Sequence, residues 1–405
     1  SMNSSESNNY RLRMYVDEGY NPQGDGGGLT FSVRINVYGQ AGDKYVPLTT
    51  QKILEDNELQ EETTNMFNYA SNGMYLSGVS GNQPQYATDE SQITTGLYST
   101  EDEDGMSYYF RGNVDNNNVQ FGEYTSDYYV YDDGVAYFQS LESCTEANGD
   151  DSQWCSRVKL ASAGDKMYWK IVRVNGDGSL RLIYNGTSAT PDFSDLANSY
   201  LIGQVPYNLE ANDPKYTGYT YDRDTNETDS FIKKEVDTWY ENALGDTIYD
   251  SNVTGGRFCS DSSGYREESM MGGNVFASFD RLAQAMNGFT TSNSPTLKCP
   301  VTSESYGGSY RLKAGLITVD ELVLAGESLG VVGNSYLSIG NSNIYYWSMS
   351  PTYFVNGIAY VWYEYENLYY NSVDSDYGVR PVISLLTDNG FTSGDGTASN
   401  PYVLS

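Results

Sequence analysis

The chain has 405 residues, with 54 acidic and 23 basic side chains, a net charge of −31 and no histidine. Such a charge repels phosphate backbones and anionic leaflets, which argues against nucleic acid and membrane surfaces as direct partners. The missing histidine removes the usual general acid–base residue, Ser–His and Cys–His nucleophile pairs, and His-containing zinc sites.

In chain order, Ser1-Met2 reads as an expression scar, so a native anchor is expected upstream of it. No apolar run reaches the length that spans a bilayer. Arg11–Val16 and Leu29–Tyr38 alternate with period two and read as strands around a flexible turn at Gly24–Gly28. Residues 41–105 are polar and weakly patterned. Glu55–Glu62 reads as a short helix there, and 78–105, closing on Glu101-Asp-Glu-Asp104, as an acidic linker. This divides the chain into a β-hairpin-bearing N-terminal module over 1–105 and an α+β domain, β-rich with few short helices, over 106–405.

Within the second part, Tyr168–Val174, the turn Asn175-Gly-Asp-Gly178 and Ser179–Tyr184 form the clearest hairpin. Phe231–Leu244 reads as a helix capped by Asp229 or Ser230, with Ile232, Val236, Trp239 and Tyr240 on one face. Ser278–Met286 and Thr318–Ala325, the latter capped by Thr318, read as two more short helices. From Tyr336 onward the chain is strand-like and aromatic.

The cysteines are Cys144, Cys155, Cys259 and Cys299, and sequence alone allows three pairings. Local loops close at the lowest entropy cost, which favours Cys144–Cys155, at what looks like a hairpin tip, and Cys259–Cys299. Disulfides imply an oxidising compartment. Asp222–Asp229 alternates carboxylates like an oxygen-rich Ca²⁺ loop, but it lacks the central Gly and terminal Glu of an EF-hand and reads as a solvated acidic loop. No other cofactor is expected.

The 39 tyrosines, with 41 glycines and many Asn and Ser, are the palette of a binding surface more than of a catalytic cleft, and no enzyme is expected. The densest aromatic run lies at 341–386. Strands bury alternate side chains, so such a run cannot hide every ring, and exposed aromatic patches mark binding sites.

Here Tyr346-Trp-Ser-Met-Ser-Pro351, then a loop-rich stretch, then Gly378-Val-Arg-Pro-Val-Ile-Ser-Leu385 resembles the C-terminal hallmark of a large group of bacterial and phage surface proteins. The strings Tyr168–Leu182, Ile232–Tyr240, Phe258–Asp261, Ala314–Glu321 and Ser393–Tyr402 resemble the same group. The resemblance implies a C-type-lectin-like domain, in its formylglycine-generating-enzyme-like version, over 106–405. In some members the segment between the two hallmark strings is hypervariable, diversified by a retroelement that mutates template adenines. The products of Asn codons then include Asn, Tyr, Ser, Asp, Thr, Ile, Val, Phe and Gly, but not Lys, Glu, Gln, Met or Trp. Tyr353, Val355, Asn356, Ile358, Tyr363, Tyr365, Asn367, Tyr369, Tyr370, Ser372 and Asp374 fit that palette and are the expected ligand-binding residues. Trp362, Glu364 and Glu366 do not fit and are expected to be scaffold. The formylglycine-generating activity needs cysteines near the C-terminal site, and no Cys follows Cys299. The resemblance thus implies a protein displayed on a cell surface, a pilus-like stalk or a phage particle that binds a protein or glycan. The alternative is a structural surface or pilus-like subunit whose tyrosines merely pack.

Overall fold

Strand formation here follows from runs of β-branched and aromatic residues broken by Gly, Asn and Asp turns. A computed structural model describes residues 46–61, 95–191, 200–221, 228–259, 266–268, 273–282, 295–299, 309–327, 335–338, 344–365, 368–386 and 390–404. The hairpin expected over 11–38 lies outside them, as do the acidic positions 222–227 and Asn367.

The chain divides into two units, Ser1–Pro47 and Leu48–Ser405. The second is an α+β structure with a few short helices and two large sheets. The first sheet runs in the order Gly96–Glu101, Met106–Arg111, Lys166–Val174, Leu180–Tyr184, Val382–Leu385, Val253–Thr254. The second runs Arg266–Glu268, Gly273–Val275, Tyr346–Val355, Asp376–Val379, Gly203–Pro206, Tyr137–Phe138, Tyr128–Asp132, Ser156–Ala161. Strands Ile358–Glu364 and Leu368–Ser372 branch from Tyr346–Val355. The helix Phe231–Tyr240 is capped by Ser230, whose side chain accepts from the Lys233 amide, and buries Ile232, Val236, Trp239 and Tyr240 as the sequence implied. Helix Val319–Ala325 carries a full capping box between Thr318 and Glu321.

The boundary at 105/106 is corrected by this arrangement. Gly96–Glu101 pairs residue for residue with Met106–Arg111, so the acidic run 101–104 closes a hairpin rather than linking modules. Its Asp102 is buried. Asp102 accepts from the Asp104 and Gly105 amides of its own turn, from the Gly176 amide of the neighbouring turn at 2.8 Å, and from Arg173 at 2.8 Å. A Cβ on Gly176 would meet Asp102 Oδ1 at 2.3 Å, so only glycine lets the two turns approach. Glu321 completes the network: it accepts from Arg173 Nε at 3.0 Å and from Arg181 Nη2 at 3.1 Å. Burial works to raise the Glu321 carboxyl, but Arg181 and Arg173 outweigh it and hold the group below its ordinary value.

The disulfides pair as favoured, Cys144–Cys155 and Cys259–Cys299, and they point to an oxidising compartment. Cys144 lies in the helix Leu141–Ala147 and Cys155 follows a 3₁₀ turn, so the first bridge staples a helix to a loop instead of closing a hairpin tip.

Two outcomes follow. Glu321→Gln should cost about 3–5 kcal/mol in urea unfolding near neutral pH, because it leaves two buried guanidiniums short of a charge. The folded carboxyl is depressed, so its contribution is complete above the unfolded value and lost as pH falls through the folded one; the gap between wild type and variant should therefore close on acidification. A chain beginning at Met106 should unfold with a lower midpoint than one beginning at Val46, since it lacks Asp102 and a paired strand.

Candidate ligand-binding face

The strand Tyr346–Val355 turns at Asn356-Gly357 into Ile358–Glu364, which turns again into Leu368–Ser372. Asn356 and Gly357 take φ of 52° and 76°, the paired left-handed conformations of a type I′ hairpin. The result is a three-stranded arm with aromatic rings on both faces.

One face is built on Trp347, fully buried, whose Nε1 donates to the Val205 carbonyl at 3.0 Å. Cross-strand pairing puts Tyr363 beside Trp347 and Tyr369 beside Tyr363. Above the Trp the rings pack on one another: Tyr345 stacks on Tyr365 at 4.3 Å and on Tyr377 at 5.3 Å, Tyr369 stacks on Tyr363 at 6.0 Å, and Tyr363 lies tilted against Tyr377 at 4.4 Å. The outermost ring, Tyr369, is 40 % exposed, and the others are half-buried. Asn371 donates to the Tyr377 hydroxyl. A Cβ on Gly378 would meet the Tyr345 carbonyl oxygen at 2.4 Å, so this glycine lets the backbone under Tyr345 close onto the sheet.

The opposite face is built on Trp362, fully buried, against Phe279 at 5.7 Å. Tyr353, Tyr360 and Tyr370 pack there, with centroids 4.8 Å and 4.9 Å apart for Tyr353–Tyr360 and Tyr353–Tyr370. Ser372 pairs with Tyr360, and its hydroxyl donates to Asp374, which is exposed.

The expected residues therefore divide. Tyr363, Tyr365 and Tyr369 share the Trp347 face. Tyr370 and Ser372 line the other, with Asp374 at its rim. Val355, Asn356 and Ile358 sit at the hairpin tip, about 20 Å along the strand from Tyr363 and Tyr365. Tyr353 is corrected from exposed to buried, at 4 %. Plain alternation puts it on the same side as Trp347. Two register shifts flank Pro351, between Trp347 and Pro351 and between Pro351 and Tyr353, and they turn the later part of the strand over. Proline lacks the ladder N–H and belongs at such irregularities. The expected list omits Tyr345, Tyr360 and Tyr377, which carry much of the two clusters. Tyr360 and Tyr377 fit the same palette, and Tyr345 adjoins the Trp string, so the signal was present. Glu364, read as scaffold, is buried.

The rest of the described surface offers less. A cavity of about 30 Å³ beneath the Cys259–Cys299 bridge, walled by Arg173, Arg181 and Glu321, has room for about one water molecule. A groove of about 430 Å³ between Leu48–Glu55 and Gly390–Gly394 holds, among the described residues, Lys52 and Glu55 as its only titratable groups. Among the described residues no set of acidic and cysteine side chains converges as metal ligands. No family model matches the chain, and neither does any curated protein or solved structure.

Trp347→Ala should cost about 3–5 kcal/mol in chemical denaturation. Tyr353→Ser should also behave as a core truncation, whereas Tyr369→Ser should stay within about 0.5 kcal/mol of wild type.

Proposed function

We propose that this chain is a displayed ligand-binding protein whose reading surface is the Tyr345–Tyr377 arm, on a scaffold similar to the C-type-lectin-like domains of bacterial and phage surface proteins. The observation that carries this reading is the stack of half-buried tyrosines over buried Trp347, held on paired strands. Tyrosine loses little conformational entropy on binding and offers both a ring and a hydroxyl, and a rigid base spares the ligand the work of ordering it. Trp362 and Glu364, which a diversifying retroelement could not produce from Asn codons, lie inside, while Tyr363, Tyr365 and Tyr369 lie outward or half-outward. That partition supports a variable surface on a fixed frame. The ligand is a protein or a glycan presented outside the cell.

The test is array binding by the full chain, across extracellular protein and glycan probes, compared with a Tyr365→Ser/Tyr369→Ser variant. Capture should vanish in the variant while its melting temperature holds within a few degrees. Identical profiles for the two chains would favour the structural-subunit reading. Sequencing the coding locus in sibling isolates should place substitutions at the outward arm positions and spare Trp347, Trp362 and Arg380.

A further inference from the structure

The arm is short of cations in a way that selects its partner. Its described residues, 344–365 and 368–386, carry one basic side chain, Arg380, and that is buried. Glu364 is buried too, so the charges left at the surface are Asp374 and Asp376. Burial, with the carboxylates of Asp133 and Asp374, pushes the Asp376 carboxyl up. Asp374 in turn lies close enough to Tyr360 to raise its hydroxyl, after burial. Asp374 and Asp376 thus leave an acidic edge to the arm, on the side of Tyr360.

Elsewhere in the chain, cations sit on aromatic rings. Arg157 lies 3.7 Å from the Tyr129 ring, Arg380 3.8 Å from Tyr200, Arg181 4.2 Å from Phe258 and Lys215 5.0 Å from Tyr216. Among the described residues, no cation covers the rings of Tyr345, Tyr363, Tyr369 or Tyr377; they pack on one another, on Tyr365 and on Trp347. A ring face carries the negative lobe of the quadrupole and attracts a guanidinium or ammonium. An anionic ligand would meet both that edge and a chain of net charge −31.

Resting on the reading that this arm binds a ligand, we infer that the ligand is a basic protein segment, which brings arginine or lysine side chains onto the tyrosine rings, with Asp374 and Asp376 attracting it from the edge of the arm. Charge complementarity excludes acidic glycans and acidic protein faces, and cation–ring contact separates a basic segment from a neutral glycan.

The test is fluorescence anisotropy of the full chain with four labelled peptides of equal length: arginine–glycine, lysine–glycine, glutamate–glycine and serine–glycine repeats, with neutral oligosaccharides run in parallel. The arginine peptide should bind tightest, then the lysine peptide, with the other two unbound. Tyr365→Ser/Tyr369→Ser keeps the net charge, removes the Tyr369 ring and the support under Tyr345, and should weaken arginine-peptide binding about tenfold. Asp374→Asn/Asp376→Asn should weaken it severalfold and flatten its salt dependence. Equal binding by wild type and the tyrosine variant would show diffuse attraction to an acidic chain and overturn the inference. Tyrosine-dependent binding of a neutral oligosaccharide without peptide binding would overturn the inference while leaving the binding reading intact. No tyrosine-dependent binding of any probe would overturn both.

Discussion

Four arginines among the described residues are buried, Arg111, Arg173, Arg181 and Arg380, and the architecture is arranged to keep each one solvated by protein. A bare guanidinium in the interior is prohibitively costly, so each must be met by oxygen. Arg111 donates to the Val323 and Leu324 carbonyls at the end of the helix Val319–Ala325, where the macrodipole favours a cation. Arg173 and Arg181 converge on Glu321 at the other end of that helix, and Arg173 also reaches Asp102. Arg380 donates to the Tyr184 carbonyl at 2.8 Å and lies over the Tyr200 ring. These contacts join segments far apart in sequence: the first hairpin, the central strands, a short helix and the strand that follows the arm.

The arm depends on this frame. Arg380 follows the strand Asp376–Val379, whose Gly378 amide donates to the Tyr345 carbonyl at 2.8 Å. That bond and the Trp347–Val205 bond fix the root of the tyrosine stack to the sheet. Rigid roots and half-exposed rings are the division of labour of a binding surface: the base carries folding energy and the rim carries recognition.

Local signals made much of the fold legible. Ser230 and Thr318 announced two helices because a cap is chemistry within four residues. Asn175-Gly-Asp-Gly178 announced its hairpin, and the cysteine pairs followed from loop length. Long-range pairing was not legible. Nothing near Glu101–Asp104 shows that Asp102 will be captured by Arg173 and Gly176, so an acidic turn looked like a linker. Tyr353 was misplaced for a similar reason: alternation holds only while the register holds, and Pro351 breaks it. Trp347, Val379, Val382 and Leu385, within the two hallmark strings, lie in the interior. The arm residues were legible as a class, rich in Tyr, but their division between two faces is a property of cross-strand partners.

The most direct test of a tyrosine reading face on a fixed base is nitration mapping by mass spectrometry, on the full chain alone and saturated with the ligand that it captures. The account predicts that Tyr345, Tyr363, Tyr369 and Tyr377 are nitrated in the free chain and protected in the complex, while Tyr200, Tyr346 and Tyr353 remain silent in both. Silent arm tyrosines in the free chain, or arm tyrosines nitrated equally with and without ligand, would contradict it.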